Sequence, residues 1–170
     1  MVEKEAIDKF VSLLIENQKG VVDQVIWAIG NIAADQTMYR DLILKRGGMN
    51  ALIAIAEKAQ SKVLFKNTIW AITNLCRGSP FPTYDLIKGA TDVIAKALMS
   101  EILTSKDIIS DCCWSLSYMC EGPKSRIERV MSTGVLPIFF KYAKDQYSGL
   151  YIPSIRIIGN FSTGNELHTE

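Results

Sequence analysis

The chain has 170 residues, 48% of them hydrophobic and 22% charged, and a formal net charge of +1. This is a globular composition, long enough for a sizeable core, and its balanced charge gives no global pull toward nucleic acid or an anionic membrane surface. No apolar run approaches the roughly 20 residues of a membrane span, the start Met1-Val2-Glu3-Lys4-Glu5 is not a signal peptide, and an intracellular protein is expected.

Taken in chain order, the first predicted helix runs over about Lys4 to Asn17, with Ile7, Phe10, Val11 and Leu14 at helical spacing, and Gly20 breaks it. A second helix follows over about Val21 to Ala34. The next unit has three pieces: a short helix near Met38 to Lys45 ending at Gly47-Gly48, a helix over about Asn50 to Ala59, and a long one over about Lys62 to Cys76. After Ser79-Pro80-Phe81-Pro82 the pattern returns: a short helix Tyr84 to Lys88, a glycine at 89, a helix near Thr91 to Glu101, and a long one over about Lys106 to Cys120. In the last unit Pro123 starts the short helix, Gly134 makes the turn, and helices cover Leu136 to Lys144 and about Leu150 to Ser162.

The long helices share a motif. Trp27-Ala-Ile-Gly-Asn31, Trp70-Ala-Ile-Thr-Asn74, Trp114-Ser-Leu-Ser-Tyr118 and Arg156-Ile-Ile-Gly-Asn160 are spaced by 43, 44 and 42 residues, within the period of about 40 to 47 of helical solenoids. Gly48, Gly89 and Gly134 lie 22, 25 and 22 residues before Trp70, Trp114 and Arg156, a second register that agrees with the first. Approximate repeats are 1–35, 36–78, 79–122 and 123–164, with a tail at 165–170, all in one domain; the first repeat is incomplete.

At 100° per residue, a Trp and the Asn four positions later mark one narrow stripe. Asp35 extends the stripe from Trp27 and Asn31, Arg77 extends it from Trp70 and Asn74, and Asp111 and Glu121 bracket Trp114 and Tyr118. The opposite face carries two apolar columns, Ile29, Ile72, Leu116 and Ile158, and Ile32, Leu75, Met119 and Phe161. A helix with a complete apolar face has no folding need for Trp and Asn on its other side, so the stripe reads as a binding surface.

Other chemistry is weakly represented. Cys76, Cys112, Cys113 and Cys120 have no C-x-x-C spacing and the single histidine is His168 in the tail, which argues against a metal site; in the repeat register Cys112 falls with Val25 and Thr68, and Cys113 with Ile26 and Ile69, as reduced core thiols would. No phosphate loop or nucleophile constellation indicates an enzyme, no cofactor is expected, and no basic-aromatic patch indicates nucleic-acid binding.

A short helix, a glycine turn and two longer helices per unit resemble the armadillo repeat. The stretches Ile26-Trp-Ala-Ile-Gly-Asn-Ile-Ala-Ala-Asp35, Trp70-Ala-Ile-Thr-Asn-Leu-Cys-Arg-Gly78, Asp111-Cys-Cys-Trp-Ser-Leu-Ser-Tyr118 and Pro153-Ser-Ile-Arg-Ile-Ile-Gly-Asn160 are similar to the central repeats of the importin-α (karyopherin-α) family, including an Arg in place of Trp between the two halves of the groove. The resemblance implies an all-α, right-handed superhelical armadillo solenoid of about four three-helix repeats. It also implies a nuclear import adaptor segment, in cytoplasm and nucleus, that binds lysine-rich nuclear localisation signals in a concave groove.

By family position, Trp27, Trp70 and Trp114 would form slots for the stems of basic side chains, Asn31 and Asn74 would hold the peptide backbone, and Asp35 would take the deepest lysine. Asp111 and Glu121 would serve neighbouring basic side chains, Glu121 standing where the family commonly has Asp. Arg156 and Asn160 would begin a minor site. Arg77 fits less well, because the long helix before it has no acid to neutralise it. The basic N-terminal arm that recruits importin-β is missing, so importin-β would be a partner only of a longer chain. With Phe10 and Leu14 expected to be uncovered at one end and the fourth repeat at the other, uncapped repeat ends would favour self-association. The alternative reading is an armadillo scaffold for another extended partner, or a self-associating truncated paralogue.

Overall fold

The computed structural model describes residues 4–100, 105–144 and 149–162. Their regular structure is eleven α-helices: α1 (Lys4–Glu16), α2 (Val22–Asp35), α3 (Thr37–Lys45), α4 (Gly48–Lys58), α5 (Lys62–Cys76), α6 (Tyr84–Ile87), α7 (Ala90–Met99), α8 (Lys106–Met119), α9 (Lys124–Met131), α10 (Leu136–Tyr142) and α11 (Tyr151–Ser162). Glu101, expected at the end of α7, the start at 1–3, the tail with His168 and the last residues of the fourth repeat lie outside the described residues.

The helices stack in rows. α2, α5, α8 and α11 pack successively on one another, α1, α4 and α7 form a second row, α2, α5 and α8 each also pack on their partner from that row, and α11 packs on α10. This is a solenoid, in which every unit buries its apolar face against the next. Ile29, Ile72 and Leu116 are completely buried, with Ile158 partly so; Leu75, Met119 and Phe161 are buried, with Ile32 partly so. The predicted core columns therefore run between the rows. All four cysteines are free and buried there, and burial pushes the thiols of Cys76, Cys113 and Cys120 up to about 12.

One expectation changes. Leu14, expected to be uncovered at the first end, is buried, because the apolar face of α1 packs on α2 and α4; Phe10 is partly covered, and the exposed apolar side chains at that end are Ile15 and Met38. The three turn glycines are also not equivalent. Gly134 has φ +78 and the residue before Gly48, Gly47, has φ +87, a left-handed conformation that suits glycine. Gly89 sits at φ −61 in the right-handed region. Space is the constraint at Gly48, where a Cβ would lie 2.5 Å from Ile43 Cγ2, whereas at Gly89 a Cβ would meet only the flexible end of Ile53 at 3.3 Å. α1 itself stops before Gly20, at Asn17, whose φ of +49 is the cap geometry that asparagine tolerates.

Between repeats the chain is pinned by arginines. Arg40 of α3 is 0% exposed. Its Nη1 donates to the carbonyl of Arg77 at 2.8 Å, its Nη2 to that of Pro80 at 2.8 Å, and the guanidinium pairs with Asp41 at 2.7 Å. Arg126 of α9, two units later, reaches back along the chain instead, donating to the carbonyls of Glu121 (3.0 Å) and Pro82 (3.2 Å) and lying 4.9 Å over the Tyr84 ring. Both fix the segment that leaves a long helix, and so fix Arg77 and Glu121. No described helix is long and apolar enough to cross a membrane.

Candidate peptide-binding groove

The Trp/Asn stripe lies on the row α2, α5, α8 and α11, and the side chains along it are held in different ways. Trp27, on α2, is 59% exposed, an unusual use of a large ring on a helix that already has a buried apolar face. A depression of about 260 Å³ opens beside it, lined by Asp23, Gln24, Trp27 and Asn67. It combines an aromatic wall, a carboxylate and two amides, which suits the apolar stem and charged head of a basic side chain.

Trp70 is half-buried because its ring lies on α2. A Cβ placed on Gly30 would be 2.2 Å from Trp70 Cζ3, so only glycine allows this approach. In the next unit the equivalent column holds Thr73, whose hydroxyl donates to the Ile69 carbonyl (2.9 Å), lies 3.2 Å from the Asp111 carbonyl and shares a 2.6 Å hydrogen bond with Ser115. With that place filled, Trp114 leans along its own helix and stacks on Tyr118, centroids 5.7 Å apart and planes inclined by 24°.

The two central asparagines differ as well. Asn31 is exposed, and its Nδ2 donates to the Trp27 carbonyl one turn back (3.0 Å). Asn74 is 5% exposed and its Nδ2 has no hydrogen-bond acceptor. A buried amide left unpaired costs about 1–3 kcal/mol, which a ligand carbonyl would relieve. Asn160 is partly buried on α11.

The charged positions form three groups. Asp35 is exposed at the last residue of α2, and the Arg77 Nη2 donates to the Ala34 carbonyl of the same helix end at 3.5 Å. A cation at a helix C-terminus is favourable, so Arg77 is directed at the end of α2 and not along the stripe. Asp111 is half-buried near Asp107 and Lys66, which pair at 2.5 Å. Burial first, then the charge of Asp107, push the Asp111 carboxyl up to about 6, with Lys66 opposing. Glu121 is ion-paired with Arg156, whose guanidinium carbon also lies 5.4 Å above the Tyr118 ring. The sequence reading gave Glu121 to neighbouring basic side chains; in the structure the basic side chain beside it is Arg156, which α11 brings over the end of α8.

The structure thus brings Trp27, Trp70, Asn31 and Asn74 together along α2 and α5, and Trp114, Tyr118, Glu121 and Arg156 along α8 and α11. Sequence reasoning missed Asp23, Gln24 and Asn67. A signal existed: Gln24, Asn67 and Asp111 each stand three residues before Trp27, Trp70 and Trp114, one column of polar groups beside the aromatic one. Arg40 was missed because a buried guanidinium on a short amphipathic helix is indistinguishable in sequence from a surface one.

No family model matches the chain. It is 31% identical over its whole length to importin subunit alpha-1b of Oryza sativa subsp. japonica, of which it covers 31%. It is 34% identical, over 96% of the chain, to the probable importin subunit alpha-A of Dictyostelium discoideum, of which it covers 32%. The chain spans about a third of the length of these relatives. Among solved structures it superposes with a TM-score of 0.81, at 22% identity, on a designed armadillo repeat protein in complex with the peptide (KR)4, covering 96% of this chain and 67% of that one. A second designed armadillo repeat protein gives a TM-score of 0.82 at 21% identity, covering 96% and 68%. The fold is that of an armadillo-repeat solenoid.

Proposed function

We propose that this chain, an armadillo-repeat protein homologous to the importin α subunits, binds extended lysine-rich peptides of the nuclear localisation type along α2, α5 and α8, as a segment of a nuclear import adaptor acting in cytoplasm and nucleus. The observation that carries this reading is the exposed Trp27 ring walling a depression with the Asp23 carboxylate. An exposed aromatic face beside an acid attracts a cation through its π-system and its charge at once, and the ring accommodates the methylene stem of Lys or Arg.

Neighbouring groups extend the same chemistry. The amides of Asn31 and Asn74 can each donate and accept, which is what an extended backbone with unpaired N–H and C=O groups requires. Asn31 gives up a bond to its own helix in doing so, and Asn74 gives up none. Asp35 and Asp111 supply negative charge on either side of Trp70, Asp111 most strongly when ionised. Arg77 lies aside at the end of α2, where it does not block the row. Glu121 serves Arg156 first, so the acidic part of the site is Asp23, Asp35 and Asp111.

Fluorescence anisotropy of a labelled lysine-rich import-signal peptide at low and high salt tests this. Saturable binding that weakens with salt and is lost in Trp70→Ala, Asn74→Ala is expected. Absence of binding by the folded, monomeric chain would reject the reading in favour of a scaffold with another extended partner.

A further inference from the structure

One contact is made three times inside this chain, where α2 meets α5, α5 meets α8 and α8 meets α11. The side chains that complete it lie in fixed columns of the repeat. The residue before each Trp or Arg of the motif is Ile26, Ile69, Cys113 or Ile155; the first three are completely buried, whereas Ile155, on the last long helix, is 44% exposed. Ile158 is likewise only partly covered where Ile29, Ile72 and Leu116 are completely buried. At the first long helix the pattern inverts. Trp27 is exposed and Ile32 only partly covered, whereas Leu75, Met119 and Phe161 of the Ile32 column are buried and Trp70 is seated on Gly30.

These two faces are the separated halves of the repeated contact. Gly30 stands three residues after Trp27, and Gly159 stands three after Arg156. At Gly159 the seat is open, with no described atom within 4 Å of where a Cβ would stand. Ile152, 66% exposed, Ile155 and Gly159 fall at i, i+3 and i+7 and so share one face of α11. The ring that would fit that seat as Trp70 fits Gly30 is Trp27, whose helix opens the row among the described helices. We propose that this face takes a second copy of the chain, stacked head to tail in the repeat's own register, with Trp27 and Ile32 of one copy closing over Ile152, Ile155 and Gly159 of the other.

The gain is the removal of an indole ring and two exposed isoleucines from water. The two patches differ, so a contact that uses one on each copy leaves the other free, and a superhelix continued in its own register does not close on itself. Association is therefore open-ended. The inference concerns the chain's own surfaces and does not need the peptide reading. Trp70 lines the row while seated on Gly30, so a seated Trp27 would carry the row from one copy into the next.

Sedimentation velocity of the whole chain over a range of concentrations tests this, with wild type, Trp27→Ala and Gly159→Leu. Gly159→Leu replaces a helical glycine at an open position, so the fold of the single copy is kept, and Ile155→Lys, on the same face, should act in the same way. Wild type should gain mass with concentration and reach no plateau. Each substitution should raise the midpoint concentration by about tenfold or more, as expected for losing a seated aromatic ring. Mixed in equal amounts, Trp27→Ala and Gly159→Leu should form a dimer and nothing larger, because only the Trp27 of one and the Gly159 seat of the other remain. A wild type that stays monomeric at every concentration, oligomers that neither substitution weakens, or a mixture that stays monomeric would overturn the proposal. So would a wild-type mass that stops at the dimer, which marks one patch shared by both copies.

Discussion

Between α2 and α5, Trp27 stands exposed beside Asp23, Gln24 and Asn67 while Trp70 lies against Gly30; between α8 and α11, Trp114 leans on Tyr118 and Arg156 covers both Tyr118 and Glu121. The two halves are built on the same repeat and the same columns. What separates them is small: a glycine at 30 where the next repeat has Thr73, and an arginine at 156 where the earlier repeats have tryptophan. The first change decides whether a ring can lie flat on the preceding helix. The second decides whether the acid beyond it faces a ligand or the protein itself.

The largest expected effect breaks the support of the open half. Arg40→Ala removes the donor to the Arg77 and Pro80 carbonyls and the partner of Asp41, and should cost about 3 kcal/mol in denaturant unfolding. Arg126→Ala, at a partly exposed site in the other half, should cost about 1 kcal/mol. Equal losses would mean that the two arginines are equivalent pins.

Next, Gly30→Ala forces the Trp70 ring to move and should cost about 1–3 kcal/mol, with a change in tryptophan emission and weaker peptide binding. Thr73→Ala deprives Ser115 of its buried partner and should cost about 1 kcal/mol while leaving the Trp70 seat intact. An unchanged emission in Gly30→Ala would refute the account of that seat.

The acid between the halves gives a pH signature. The Asp111 carboxyl is raised from 3.8 to about 6, so the folded state holds this proton more tightly than the unfolded one. Its stabilising contribution is present below about pH 4 and is lost as pH rises through about 6. Asp111→Asn should remove that fall and be the more stable form at pH 7. Peptide affinity should run the other way, rising through pH 6 as the carboxylate forms. Thermal unfolding and anisotropy at pH 4 to 8 check both slopes.

The smallest effect concerns Lys66. Its pair with Asp107 is exposed on both sides, and such pairs contribute little to stability, so Lys66→Ala should leave the melting temperature unchanged. It should still move the Asp111 midpoint upward, because Lys66 is the charge that opposes the shift. NMR titration of the Asp111 carboxyl measures this directly.

Much of the fold was legible because a repeat reports its own period. α5 has the predicted boundaries, α8 ends one residue earlier than expected, and the core columns follow from the spacing of Ile29, Ile72 and Leu116. The turn glycines were legible as a register while their conformations were not: Gly134 and Gly47 take positive φ and Gly89 does not. Leu14 was misread because whether an end helix is covered depends on packing between units. In the groove, the aromatic and amide positions were visible as a stripe. Their states were not. That Asn31 bonds its own helix, that Asn74 lacks an acceptor, and that Arg156 closes on Glu121 depend on how one helix sits on the next, a relation that spans a whole repeat.

The most direct test of the central claim follows the indole N–H signals of Trp27, Trp70 and Trp114 by NMR while unlabelled lysine-rich import-signal peptide is added to the whole chain. The account predicts saturable, salt-sensitive shifts at Trp27 and Trp70, with the Arg156 guanidinium signal unmoved. A folded chain whose Trp27 and Trp70 signals do not respond, or whose Arg156 signal moves first, would contradict it.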